Sequence, residues 1–163
     1  IMQVDTPDNL YHKPNNMFVA GFIGAPEMNI RACKLVGNAG HLALSIGNET
    51  MPLSDELQKR VSGHQGQDVF YGIRPEFVSL SDTPFAEGGC SGEMVRVENM
   101  GHEFFVYLKV AEYELTARIP SDEAKPMIEK GLHRTVYFRF DMKKCHIFDA
   151  KTEQNISLEG VKQ

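Results

Sequence analysis

The sequence holds no G-x-x-x-x-G-K-[ST] loop, so nothing in it can cradle nucleotide phosphates with backbone N–H groups and a lysine. His12, His41, His64, His102, His133 and His146 are scattered, without an H-x-x-x-H or H-E-x-x-H pair that would set two metal ligands on one helix face. No G-x-S-x-G elbow is present for a serine nucleophile. Cys33, Cys90 and Cys145 are odd in number and lack C-x-x-C spacing, which argues against a disulfide framework and a structural zinc site and fits a reducing cytoplasm. No stretch approaches the roughly 18 apolar residues needed to cross a bilayer, and no basic leader with an apolar segment opens the chain. Lys and Arg form no cluster and the net charge is -5, so no basic surface is offered to nucleic acid.

What is present is an ordinary soluble composition, 42% hydrophobic and 24% charged over 163 residues, enough for one domain or two small intimate ones. The opening Ile1-Met2-Gln3-Val4, without an initiator Met, reads as the interior of a longer protein. Thr6 suits a helix cap, Pro7 the first helical position, and Asp8 the positive end of the helix dipole. Pro14 interrupts this helix. A second is expected from Asn15 or Asn16, carrying Phe18, Val19, Phe22 and Ile23 and ending at Gly24 with Pro26 behind it. Residues 1–27 read as a helical connector.

From Met28 onward the apolar period changes to alternation. Leu42, Leu44 and Ile46 begin it; Val95 and Val97 flank Arg96; Phe104, Val106, Leu108 and Val110, then Leu115, Ala117 and Ile119, then Val136, Phe138 and Phe140 continue it. Asn99-Met100-Gly101 supplies a turn, and Gly88, Gly89 and Gly92 a glycine-rich loop. A weak repeat sharpens the pattern: Ser54-Asp55-Glu56 returns as Ser121-Asp122-Glu123, and the same offset lays Val69, Tyr71 and Ile73 on Val136, Phe138 and Phe140. The expected fold is mainly β, a barrel or a sandwich, with two similar β units over residues 28–163, at about 28–82 and 90–160.

The candidate sites compete with plainer roles. Val61-Ser62-Gly63-His64-Gln65 looks superficially like an ATPase L-S-G-G-Q motif, but it lacks the second Gly and reads as a turn before a strand. In Cys145-His146 the two side chains of adjacent strand residues point to opposite faces, giving a buried thiol beside an exposed imidazole. Asp55-Glu56 and Asp122-Glu123 fit solvated acids at helix starts. Phe70, Phe105, Tyr107 and Tyr137 fall opposite the main apolar faces, where a second packed face or a protein interface would use them. A small-ligand module binding an oxyanion or sugar would draw on Ser79, Ser81 and Thr83, and an independent enzyme would have to rest on Cys90 or His146.

Two stretches carry a family resemblance. Val4 to Met28, VDTPDNLYHKPNNMFVAGFIGAPEM, followed by Asn29, resembles the segment after the nucleotide-binding domain in ABC importer ATPases of the maltose, multiple-sugar and glycerol-phosphate type, with Asp5 for a usual Gly and Asn9 for a usual Glu. Tyr71-Gly72-Ile73-Arg74-Pro75-Glu76 is similar to that family's G-I-R-P-E-H, with Phe77 in place of His. Val97 to Glu103 and Cys145 to Asp149 echo later parts of the same domain.

The resemblance implies two interlocked oligonucleotide-binding-like (OB-like) units of the TOBE or molybdate-binding-protein-like (MOP-like) type. It implies a regulatory and dimerising role in the ATP-binding subunit of a sugar importer. ATP, Mg and hydrolysis would belong to a preceding domain, with no cofactor in this part. The implied partners are a second copy, permease subunits and a regulatory protein, with no nucleic acid, at the cytoplasmic face of the membrane. The motif residues singled out as interface or structural positions are Gly72, Arg74, Pro75, Glu76, Gly101 and Glu103. For Arg74 two partners are expected: a bidentate carboxylate, or Glu76 in a salt-bridged turn.

Overall fold

A computed structural model describes residues 5–24, 26–38 and 40–159; the opening Ile1 to Val4 lies outside them. The connector forms as its punctuation indicates. Thr6 Oγ1 accepts from Asn9 N and Pro7 opens α1 (Pro7–His12), while Asn16 Oδ1 accepts from Val19 N to start α2 (Met17–Phe22). The second helix stops earlier than expected. Ile23 is already extended, and its carbonyl is taken by a side chain described below, so Gly24 follows the cap instead of forming it.

The strands are β1 (Asn29–Asn38), β2 (His41–Ile46), β3 (Glu49–Pro52), β4 (Asp68–Ile73), β5 (Val78–Ser81), β6 (Cys90–Asn99), β7 (Glu103–Val110), β8 (Tyr113–Pro120), β9 (Arg134–Phe140) and β10 (His146–Asp149). Helix α3 (Asp55–Val61) precedes β4 and α4 (Ser121–Glu129) precedes β9. The strands make two five-stranded sheets, ordered β10-β4-β1-β2-β3 and β5-β9-β6-β7-β8. Alternation decides the faces. Leu42, Leu44 and Ile46 are buried, as are Phe104, Val106, Leu108 and Val110 on β7 and Leu115, Ala117 and Ile119 opposite them on β8. β6 departs from the reading. Its register shifts between Met94 and Arg96, so this bulge buries Met94 and leaves Val95 and Val97 only half-buried.

The repeat is real in topology. Each copy runs three strands, a helix and a strand: β1-β2-β3-α3-β4 and β6-β7-β8-α4-β9. The serines at its start differ in use. Ser54 Oγ accepts from Leu57 N and caps α3, whereas Ser121 is already helical and its Oγ donates to Gly101 O.

The compact units do not follow a cut between residues 82 and 90. One comprises 1–45, 52–74 and 142–163, the other 46–51 and 75–141. The reason is strand pairing. β5 follows β4 in the chain but pairs with β9, and β10 follows β9 but pairs with β4. One edge strand of each sheet therefore comes from beyond the other sheet's repeat.

Candidate functional site

β4 carries the G-I-R-P-E stretch, and its pairing explains the glycine. Gly72 stands opposite Ile30 on β1 and His146 on β10. A Cβ there would come within 2.7 Å of Met28 Sδ and 2.8 Å of Phe148 Cε2. Met28 and Phe148 are buried together with Ala20, and Phe70, Met17 and Ile30 pack against them. Phe70 thus belongs to a second packed cluster, one of the two uses expected for it.

Arg74 directly follows this strand with its side chain inside the first unit, at 2% exposure. Neither expected partner holds it: among the described residues no carboxylate pairs with it. Nη1 donates to Ile23 O at 2.5 Å, Nη2 to Tyr11 O at 3.0 Å, and the guanidinium lies 4.0 Å over the Tyr11 ring. The acceptors are the C-terminal ends of α2 and α1, whose last carbonyls lack partners within the helix and carry the negative end of its dipole. Burial pulls the Arg74 pKa down to about 10.

Pro75 is buried and opens a single 3-10 turn, Pro75–Phe77. Within the second unit, Glu76 adds its negative charge to the field that holds Arg118 in its charged form, after the larger effect of the Glu103 hydrogen bond. Glu103 Oε2 accepts from Arg118 Nε across the β7–β8 pair at 2.5 Å. Gly101 turns the β6–β7 hairpin at φ +95, its N–H donating to Asn99 Oδ1, so a left-handed residue is required there. Of the six motif residues, Gly72 and Arg74 fall in the first unit, and Pro75, Glu76, Gly101 and Glu103 in the second.

The other candidates resolve individually. Val61 ends α3 and Ser62–His64 form a 3-10 turn, as read from the sequence. Cys145 is buried, but His146 is not the exposed imidazole expected. Its Nδ1 faces Asn155 Nδ2 at 3.1 Å, and desolvation, with the positive charges of Arg74, His12 and Lys144, pulls its pKa down to about 4. Burial and then the charge of Glu49 push the Cys90 thiol up to about 12, the opposite of what an attacking thiolate needs. Ser81 Oγ accepts from Thr83 N, and the nearby cations Lys130 and Arg134 are both engaged by Asp82, at 2.6 and 2.8 Å. Tyr107 donates to Glu98 at 2.6 Å beneath the Arg96 guanidinium. No group of three or more His, Cys, Asp or Glu side chains among the described residues is placed to hold a metal ion.

Asn155 is the functional-looking residue that the sequence does not announce. It is buried, donates through Nδ2 to Pro14 O at 2.7 Å, and accepts through Oδ1 from Ser157 N at 3.0 Å. No motif marks it, because every partner but Ser157 is distant in the chain or on another segment.

Comparison with known proteins bears directly on this arrangement. The MalK OB fold domain matches residues 24–78 and the TOBE domain residues 71–148. The chain is 35% identical over 156 residues to the sulfoquinovosyl glycerol transport ATP-binding protein SmoE of Agrobacterium fabrum, covering 96% of this chain and 41% of that protein. It is 36% identical over 166 residues to the trehalose/maltose import ATP-binding protein MalK of Thermococcus litoralis, with the same 96% and 41% coverage. The chain therefore spans about two fifths of the length of the curated relatives it matches. The cytoplasmic molybdate-binding protein ModG, with molybdate bound, superposes with a TM-score of 0.55 at 14% identity, over 73% of this chain and 94% of ModG, a likeness of fold alone. With the two models together spanning residues 24–148 and the relatives aligning over 96% of the chain, the chain belongs to the MalK-type OB and TOBE family and is homologous to the C-terminal regulatory region of sugar ABC importer ATP-binding subunits.

Proposed function

We propose that this chain is the regulatory and dimerising region of the ATP-binding subunit of an ABC importer for sugars or related solutes. The observation that carries the reading is identity of about 35% over 96% of the chain to importer ATP-binding proteins, with both family models matched in sequence along it. In this reading ATP and Mg are bound by a separate nucleotide-binding domain, and this region supplies no catalytic group. Its buried Cys90 thiol and neutral His146 suit structure better than chemistry.

The physical role is tethering. Two copies held together through their regulatory regions keep their nucleotide-binding domains at an effective concentration of order millimolar, so the domains can part and meet again without the complex dissociating. The partners are a second copy of the subunit, permease subunits reached through the nucleotide-binding domain, and a regulatory protein. The location is the cytoplasmic face of the membrane, held there peripherally by the permease.

Solution mass across a concentration series tests the tether. Association to twice the monomer mass, 18.3 kDa, supports it. A strict monomer at every concentration removes dimerisation from this region. The importer reading is tested separately by grafting the chain onto the nucleotide-binding domain of a relative in place of that relative's own regulatory region; restored sugar uptake supports it, and a folded graft without uptake counts against it.

A further inference from the structure

α1 poses an energetic problem. It is six residues long and buries none of them, and helices shorter than about 12 residues are marginal in water without tertiary help. α2 is held by the burial of Val19 and Ala20, but α1 has no apolar anchor of that kind. The Arg74 side chain reaches the C-terminal ends of both, through Tyr11 O and Ile23 O.

The grip is reciprocal. A buried guanidinium without a carboxylate is expensive to keep, and here its Nε has no partner among the described residues. Among the described residues, two helix-end carbonyls and the face of Tyr11 compensate it, so the charge is comfortable inside only while both helices are formed. A second grip acts elsewhere. Asn155 N donates to Asn15 O at 2.7 Å, Asn155 Nδ2 to Pro14 O, and Met17 N to Glu153 O at 3.1 Å, tying down the joint between the helices and the start of α2.

We infer that Arg74 is the latch of a two-position device: engaged, it holds α1 and the end of α2 as one ordered body on the first unit; released, α1 unwinds while the Pro14–Met17 joint stays tied by residues 153–155. Under the proposed function the connector is the joint to the nucleotide-binding domain, and the latch then decides whether that joint is stiff. This consequence rests on the proposed function; the latch itself does not.

Residue-resolved amide hydrogen exchange on the 163-residue chain tests it, comparing the unaltered protein with Arg74→Met and Arg74→Lys. Leu10 N and Lys13 N report α1, Ile23 N the end of α2, Met17 N and Asn155 N the joint, and β1 and β4 amides the sheet. Arg74→Met is expected to speed exchange at Leu10, Lys13 and Ile23 by ~10-fold or more while Met17, Asn155 and the sheet keep their protection. Arg74→Lys, a point charge without the fork, is expected to keep one helix end protected and lose the other. The inference is overturned if Leu10 and Lys13 are unprotected in the unaltered protein, unchanged in Arg74→Met, or accelerated equally with the sheet. Should Arg74→Met not fold, Tyr11→Ala removes the stacked face while leaving the charge, and the same pattern at Leu10 and Lys13 is required. A monomer in the mass measurement would sink the tether and leave this exchange pattern as expected.

Discussion

Phe148 Cε2 occupies the space that a side chain on Gly72 would need, 2.8 Å from where a Cβ would stand. Phe148 is fully buried, so its rigid ring cannot withdraw cheaply, while Met28 Sδ closes the other side. Gly72→Ala is expected to destabilise the chain by about 1–3 kcal/mol through overpacking, seen as a lower denaturant midpoint. Adding Phe148→Leu should recover part of that loss. A midpoint unchanged by the alanine would show that the sheet parts there easily.

His146 sets a pH dependence. Its pKa in the folded protein lies near 4 against an ordinary 6.5, so the neutral ring is favoured by folding and the unfolded chain takes up a proton first. Its contribution is complete above about pH 6.5, shrinks as pH falls toward 4, and amounts to up to about 3 kcal/mol. Urea midpoints across that window should fall less steeply in His146→Gln than in the unaltered protein. Equal slopes would remove His146 from the account.

Asp82 acts at lower pH. Its carboxylate is held below the usual range by the hydrogen bond from Lys130, then by Arg134, and its stabilisation is present above the ordinary carboxylate pKa and lost as pH falls through the depressed one. Because the pair is partly solvated, Asp82→Asn should cost only about 1 kcal/mol at neutral pH and flatten the acid limb of a stability curve. A loss of several kcal/mol would mean that the Asp82–Arg134 contact is far better shielded than its exposure indicates.

Cutting the chain between residues 82 and 90 should yield two pieces that do not fold separately. The first lacks β10, the outer partner of β4, and the second lacks β5, the outer partner of β9. Mixing the pieces should restore structure by circular dichroism. Cooperative unfolding of either piece alone would contradict the pairing.

Thiol reagents should modify Cys90 slowly at neutral pH, because burial and the nearby Glu49 keep it protonated. Rapid labelling in the native protein would show that the loop before β6 opens often.

Much of the fold is legible because one face of nearly every strand is buried: alternation in Phe104 to Val110 or Val136 to Phe140 has to mark the core. The connector is legible for a different reason, since Thr6, Pro7 and Asn16 act on backbone groups within three residues of themselves. Met94 escaped because a bulge inserts one residue and shifts the alternation, and nothing local in Glu93-Met94-Val95 announces it. The partners of Arg74 escaped because they are backbone carbonyls, which every residue owns. A guanidinium in a sequence suggests a carboxylate, but here the negative charge is the end of two helices.

The crossed pairing of β5 and β10 has a consequence for biosynthesis. As the chain leaves the ribosome, β4 emerges long before the strand that completes its sheet, and β5 waits exposed until α4 and β9 have followed. The second sheet is complete once β9 is out at Phe140, but the first, begun earlier, cannot be completed until β10 has followed to Asp149, so a nascent chain stalled before β9 would offer unpaired edges on β4 and β5 to chaperones or to aggregation.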